Sequence, residues 1–149
     1  MPIKLTLINP CGSEDYLTIA PGALPNDISY TLYDFSSEDK YLFSHPPFQI
    51  ITPKNNAVKP LCGELAYEAT FDGTTIDTTS SPMSYTADSD LEGNFTIYSE
   101  DFSLIGNKKI TVQAYLASYL SIKSDMQEMT IEIIDPCLEP FSLTVDQQD

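Results

Sequence analysis

The chain has 149 residues, enough to bury one sizeable core, and this length predicts a single domain. It contains 22 acidic and 7 basic residues, which give a formal net charge of −15, and every basic residue is lysine. An acidic chain without arginine would be repelled by a nucleic acid backbone, so nucleic acid binding is excluded. No apolar run reaches the length of a membrane span, and we expect no membrane insertion by this segment.

Strand patterns dominate the first half of the chain, and helical periodicity is nearly absent. The predicted strands are Lys4 to Ile8, Asp15 to Ile19, Ile28 to Phe35, Tyr41 to Phe43 and Phe48 to Thr52. Pro10 stops the first ladder because proline has no N–H to donate. His45 precedes Pro46 and Pro47, which break any continuous strand, and it is interpreted as a surface or loop histidine.

The second half continues with strands separated by turn residues. They are Glu64 to Phe71, Met83 to Thr86, Asn94 to Glu100, Ile110 to Tyr119 and Met129 to Ile133. Asp72-Gly73 is a strong hairpin signal. Tyr119, Leu120 and Ile122 do not form a helical stripe. The whole pattern predicts an all-β, antiparallel β-sandwich of about seven to nine strands without substantial helix.

One sequence pattern occurs near both ends of the chain. Residues 5–19 (LTLINPCGSEDYLTI) align without a gap with residues 131–145 (IEIIDPCLEPFSLTV), so that Cys137 lies 126 positions after Cys11. This period is the size of a domain and too long for a solenoid unit. We therefore expect three parts: residues 1–9 as a last-strand-like segment or linker from a preceding copy, residues 10–136 as one complete β-sandwich repeat, and residues 137–149 as the first strand of a following copy.

A first-strand segment at the C-terminal end bears on assembly. Phe141, Leu143 and Val145 would pair in the sheet of the next copy, as Leu5 to Ile8 would pair in this one. If the copies follow one another in one chain, the result is a multidomain protein. If they lie in separate chains, the result is a filament built by strand donation.

These cysteine elements resemble those of tandem repeats of about this size in large surface proteins of protists and algae. Each such repeat opens with a [DN]PC element and carries a second cysteine in a CG element. The matching residues here are Asn9-Pro10-Cys11, Cys62-Gly63 and Asp135-Pro136-Cys137. The closing segments YLASYLSI and TIEIIDPC are also similar to the last strands of immunoglobulin-like and cadherin-like modules. The resemblance implies an immunoglobulin-like sandwich, an extracellular or cell-surface location, and a role in adhesion or filament structure.

The repeat also bears on the three cysteines. If each copy owns two, the resemblance implies a Cys11–Cys62 disulfide and leaves Cys137 unpaired or paired outside this segment. A Cys62–Cys137 bridge and three reduced thiols remain as alternatives. One histidine and the absence of CxxC spacing do not favour a zinc site.

Two segments are candidates for glycosylation. Asn94-Phe95-Thr96 is an N-glycosylation sequon that follows a turn, where it could be exposed. A hydroxyl-rich stretch before Pro82 is a candidate for O-glycans, and a plain polar loop explains it equally well. Its candidate residues are Thr78, Thr79, Ser80 and Ser81.

Calcium is the only cofactor that the sequence suggests. Asp88, Asp90 and Glu92 alternate in a turn, and Asp135 lies at the junction between copies. Carboxylate oxygens are the ligands that calcium prefers, although clustered acids are expected in so acidic a chain.

No nucleophile, phosphate-binding or metalloprotease motif occurs, and we do not expect an enzyme. The expected function is that of a structural or adhesive extracellular module that assembles head-to-tail, with neighbouring copies of the same repeat as partners. The alternative is a carbohydrate-binding or calcium-dependent adhesion module with glycans as partners. A carbohydrate-binding module would present a row of solvent-exposed tyrosines.

Overall fold

A computed structural model of the protein describes residues 1–34, 42–54, 56–87 and 92–138. Within these ranges the helical segments are short 3₁₀ turns at Pro10–Gly12, Asn56–Leu61 and Phe102–Leu104. The predicted all-β fold without substantial helix is confirmed. The described strands are β1 (Thr18–Ala20), β2 (Ile28–Thr31), β3 (Phe43–His45), β4 (Gln49–Ile51), β5 (Leu65–Phe71), β6 (Thr74–Ile76), β7 (Met83–Thr86), β8 (Gly93–Ile97), β9 (Gly106–Leu116), β10 (Tyr119–Lys123) and β11 (Gln127–Ile134).

The strands form sheets that share one hydrophobic core. The largest sheet has the order β2-β11-β9-β5-β6, and β10 pairs with the end of β9. A second sheet has the order β3-β8-β7, and β1 pairs with β4. The sheets of the immunoglobulin sandwich contain strands ABED and CFG. Taken along the chain, the strands that occupy positions A to G are β1, β3–β4, β5, β7, β8, β9 and β11.

The structure differs from the prediction in strand number and in one pairing. Eleven strands are described where seven to nine were expected. The strand pattern did not predict β6 and β10, whereas it did predict β3 and β4 as separate segments on either side of Pro46 and Pro47. β2 runs parallel to β11, with Ile28 opposite Ile131, so the largest sheet is mixed. Pairing between segments about 100 residues apart leaves no local trace in the sequence.

β9 is the central strand of the largest sheet. Its inward side chains at Ile110, Val112, Ala114 and Leu116 are all 0% exposed, as the alternation predicted. Burying each large aliphatic side chain contributes about 1.5–3 kcal/mol, so this strand supplies much of the core stability. Asp72-Gly73 closes the β5-β6 hairpin with φ values of 49° and 84°, the positive pair that a type I′ turn requires.

Residues 1–9 form no strand, and the predicted pairing of Leu5 to Ile8 within this module is wrong. Ile3, Leu5 and Leu7 are 93%, 79% and 87% exposed. The physical reason is that the strands with which this segment would pair already have partners on that side. The position that this pattern would fill, between β2 and β9, is already occupied by β11.

The chain enters at the Leu116 end of β9, which we call the N-terminal pole. There the amide of Ala117 donates to the carbonyl of Glu64 at 3.1 Å. The side-chain amide of Asn9 donates to the hydroxyl of Tyr119 at 3.2 Å. Asn9, before β1, is therefore hydrogen-bonded to the first residue of β10.

The chain leaves β11 at the Gly106 end of β9, which we call the C-terminal pole. Gly106 lies opposite Ile133, and the amide of Leu32 donates to the carbonyl of Ile134 at 3.1 Å. Since β9 has 11 residues, the two poles are about 33 Å apart. The points where the chain enters and leaves thus lie at opposite ends of the sandwich.

Candidate functional site

A disulfide between Cys11 and Cys62 anchors the N-terminal pole. Their Cα atoms are 5.2 Å apart, and both side chains are buried. The alternative bridge from Cys62 to Cys137 does not form, and Cys137 is an exposed free cysteine. The bond ties the segment before β1 to the residues that lead into β5.

The two [DN]PC elements fold into the same turn. The Asn9 side-chain oxygen accepts a hydrogen bond from the Cys11 amide at 3.1 Å, and the Asp135 side-chain oxygen accepts one from the Cys137 amide at 2.8 Å. Both are Asx turns, in which the side chain takes the place of a backbone acceptor. The two ends of the chain therefore agree in conformation as well as in sequence.

The residues after the first turn are fixed to the module by further contacts. A Cβ added at Gly12 would lie 3.9 Å from the Tyr119 ring, so the turn passes close to that side chain. Lys54 Nζ lies 4.4 Å from the centroid of the Tyr16 ring, a cation–π contact. At the second turn, which begins at Asp135, the preceding strand β11 is fixed because the carbonyl of Ile134 accepts a hydrogen bond from the Leu32 amide. Only Asp135 and Pro136 separate that strand from Cys137.

Residues 3–8 carry the apolar alternation of the second half of β11. Shifted by 126 positions, Ile3 aligns with Met129 and Leu5 aligns with Ile131. Ile3 and Leu5 are exposed, whereas Met129 is 5% and Ile131 is 0% exposed. The first segment therefore has the side chains of a last strand and lacks the sheet that would bury them.

The sequon residue Asn94 lies inside a strand and not in an exposed turn. It is half-buried in β8, the middle strand of its sheet, and its Nδ2 donates to the carbonyl of Glu92 at 3.4 Å. The Thr96 hydroxyl hydrogen-bonds that of Ser84. A glycan on Nδ2 would replace the Glu92 contact, and occupancy stays a prediction.

The hydroxyl-rich stretch is organised by Asp77. Its Oδ1 accepts hydrogen bonds from the Thr79 amide and hydroxyl, each at 2.8 Å, and from the Ser80 hydroxyl at 3.1 Å. The backbone hydrogen bond from Thr79, with those from the two hydroxyls, holds the pKa of Asp77 below its usual value. Thr78 and Ser81 are exposed. O-glycosylation of the stretch stays a prediction.

The calcium residues and the C-terminal strand residues fall partly outside the described part of the chain. Asp88 and Asp90 lie there, as do Phe141, Leu143 and Val145. Glu92 is exposed, and Asp135 uses one oxygen in its turn. Within the described ranges no three His, Cys, Asp or Glu side chains come together as metal ligands. Calcium binding stays a prediction.

His45 is buried in an aromatic cluster, and its interpretation as a surface or loop histidine is wrong. Its side chain is 1% exposed. Nδ1 donates to the Pro46 carbonyl at 2.8 Å, and the Tyr85 hydroxyl donates to Nε2 at 2.8 Å. A Cβ at Gly93 would lie 2.0 Å from Nε2, so only glycine leaves room for the ring. The shared alternation with Phe43 was the signal that could have placed His45 inside.

Burial lowers the pKa of His45, because the charged imidazolium would lose its hydration. The Pro46 carbonyl and the carboxylate of Glu92 oppose this shift. Burial also raises the pKa of Tyr85, so its phenol keeps the proton that it donates to the imidazole. The pair is a satisfied neutral hydrogen bond in the core.

A carbohydrate-binding platform would need exposed aromatic rings in a row. Among the tyrosines of the described residues, Tyr33 alone is exposed, and the others are buried or half-buried.

Within the described residues, no helix has the length and apolar character needed to cross a membrane. No protein-family model matches the chain, and no curated protein shows significant similarity to it.

Proposed function

We propose that this chain is a structural or adhesive extracellular module that assembles head-to-tail in a tandem array or filament. The observation that carries the proposal is the duplicated pattern at the two poles. In the first copy Cys11 is bonded to the module while Leu5 is exposed. In the last copy Ile131 is buried while Cys137 is free. Each copy of the pattern thus has one half engaged and the other half available to a neighbour.

The partners in this proposal are neighbouring copies of the same repeat. Residues 3–8 are the end of the last strand of a preceding copy, and Asp135-Pro136-Cys137 opens the following one. The opposite positions of the two poles suit an extended array, because each module adds its length along one axis. The buried disulfide suits an extracellular location, where such bonds persist.

A graft of residues 3–8 onto positions 129–134 tests the proposal. The change is M129I, T130K, I131L, E132T and I133L, with Ile134 retained. If the first segment is a last strand, its apolar side chains fit the core of this module. The grafted chain is then expected to unfold cooperatively in urea, with a cost of about 1.5 kcal/mol or less for each buried exchange.

The matched control is a graft shifted by one residue, which places residues 4–9 at positions 129–134. It brings Lys4 to the buried position 129 and Thr6 to position 131, because a one-residue slip reverses the faces of a strand. We expect this chain to be unfolded by circular dichroism and proteolysis. Equal behaviour of the two grafts would contradict the proposal, as would an unfolded in-register graft.

A further inference from the structure

The C-terminal pole presents an apolar patch formed by Tyr33, Phe102 and Ile105. These side chains are 42%, 47% and 38% exposed, and the rings of Tyr33 and Phe102 have their centroids 5.9 Å apart. Tyr33 has a φ of 66°, a conformation that non-glycine residues rarely adopt. Its amide donates to the carbonyl of Ser99 at 3.0 Å, which holds the residue in place. This exit patch lies beside Ile134, where the chain leaves the sandwich.

The N-terminal pole exposes two apolar side chains, Leu61 and Leu120, which together we call the receiving patch. Leu61 is 76% exposed and precedes the disulfide-bonded Cys62. Leu120 is 61% exposed and follows Tyr119, which binds Asn9. This receiving patch therefore lies where the chain joins the module from the preceding copy.

The junction between copies is too short to keep the two patches apart. In an array, β11 of one copy is fixed through Ile134, and Cys137 is held by the disulfide of the next. Three Cα-to-Cα steps join these residues, and they span at most about 11 Å. The Asx turn at Asp135 shortens the path further. This separation is close to the spacing of about 10 Å between packed sheets.

One pair of opposite charges flanks the two patches, although Glu64 is also exposed at the N-terminal pole. Lys59 is exposed two residues before Leu61 at the N-terminal pole, whereas Glu100 and Asp101 are exposed beside Phe102 at the C-terminal pole. In a chain with a net charge of −15, a lysine facing these carboxylates reduces the repulsion between neighbours. The two apolar patches and this pair of opposite charges are thus available for contact between the end of one copy and the start of the next.

Resting on the proposed function, we infer that the exit patch of each module packs against the receiving patch of the following copy. Tyr33 and Phe102 are the anchors of this contact, since aromatic side chains supply much of the energy in small interfaces. Leu61 and Leu120 of the next copy form the surface that receives them. The array is then a stiff rod, and its modules are coupled through this interface.

A two-copy chain tests the inference. Residues 1–134 are joined directly to residues 9–149, which keeps the 126-residue register. The variant Y33S/F102S is made either in the first copy, where the exit patch faces the second copy, or in the second copy, where no further copy follows. The intrinsic cost to the module is the same at both positions. We expect the first-copy variant to melt about 2–5 °C lower than the second-copy variant.

The reciprocal variant L120S provides an independent measurement. It should lower the melting temperature more in the second copy, whose receiving patch faces the first, than in the first copy. Equal melting temperatures at both positions, for both variants, would overturn the interface and leave the array proposal standing. A two-copy chain in which the second copy forms no Cys11–Cys62 bridge, by non-reducing mass spectrometry, would instead overturn the array itself.

Discussion

The same nine-residue pattern, at residues 3–11 and 129–137, meets two opposite environments in this molecule. In the first copy the strand half is exposed, with Leu5 at 79%, and the cysteine half is buried, with Cys11 at 4%. In the last copy the strand half is buried, with Ile131 at 0%, and Cys137 is exposed. The difference teaches that the same pattern can be buried in either of its halves, and it supports the proposed array, in which the module boundary would run through the middle of the pattern.

The largest expected difference between the two copies concerns their cysteines. The chain C11S/C62S loses a cross-link between residues 51 positions apart, and loop entropy predicts a destabilisation of about 4 kcal/mol. C137S removes an exposed thiol and should change the free energy of unfolding by no more than about 0.5 kcal/mol. Urea unfolding under non-reducing conditions measures both values. A similar loss for C137S would contradict the assignment of this cysteine to a neighbouring copy.

A second difference is expected between the strand halves. I131A leaves a cavity in the core and should cost about 3 kcal/mol. L5A, at the aligned position, should change the stability of the single chain by no more than about 0.5 kcal/mol. Urea unfolding of the two variants checks this contrast. A marked loss for L5A would show that residues 3–8 pack on this module after all.

The turns should differ by a smaller amount. N9A removes the hydrogen bond to the Cys11 amide and the one to the Tyr119 hydroxyl, whereas D135A removes only the bond to the Cys137 amide among the side-chain contacts described. Because the bond from the Cys11 amide to Asn9 is partly buried and the other two bonds are exposed, N9A should be the more destabilising by about 1 kcal/mol. Thermal unfolding of both variants, with Y119F as the control for the Asn9 contact, measures the difference.

The smallest expected difference between variants of the two copies concerns how their free energy of unfolding depends on pH. Burial lowers the pKa of His45, so the unfolded chain takes up a proton near pH 6.5 before the folded chain does. The contribution of His45 to the free energy of unfolding is then constant above about pH 6.5 and falls as the pH drops below it. Since His45 lies in β3, which pairs with β8 and with neither copy of the pattern, I131A and L5A should show the same decline.

The imidazole signal in NMR spectra provides the direct measurement of this acid response, because the chain has a single histidine. Its titration midpoint in the folded protein should lie below that of a free imidazole. A titration midpoint at or above 6.5 in the folded protein would contradict the neutral, buried assignment.

Local patterns predicted the parts of the fold that depend on local physics. The alternation from Ile110 to Leu116 marked the core face of β9, and Asp72-Gly73 marked the β5-β6 hairpin. Pairing at long range was not predictable in this way. The parallel contact of β2 with β11 depends on residues about 100 positions apart. The burial of His45 depends on Tyr85, 40 positions away, and on the space that Gly93 leaves.

The same distinction between local patterns and long-range contacts applies to the candidate site. The duplicated pattern was visible because it compares the sequence with itself, and it led to the Cys11–Cys62 pair. The exit patch was not visible, because Tyr33 and Phe102 meet only through the folded sheet. The patterns also placed Leu5 to Ile8 in this module, since alternation reports the ability to form a strand and not the presence of a free edge.

The disulfide has a consequence for a module under tension. Force applied along the axis reaches Cys11 first, passes through the covalent bond to Cys62, and bypasses the intervening segment. That segment includes β1 to β4, so those strands would bear no load even after the rest of the sandwich has opened. Each module would therefore lengthen by only part of its contour before the cross-link is reduced, and the maximum extension of an array would be set by the redox state around it.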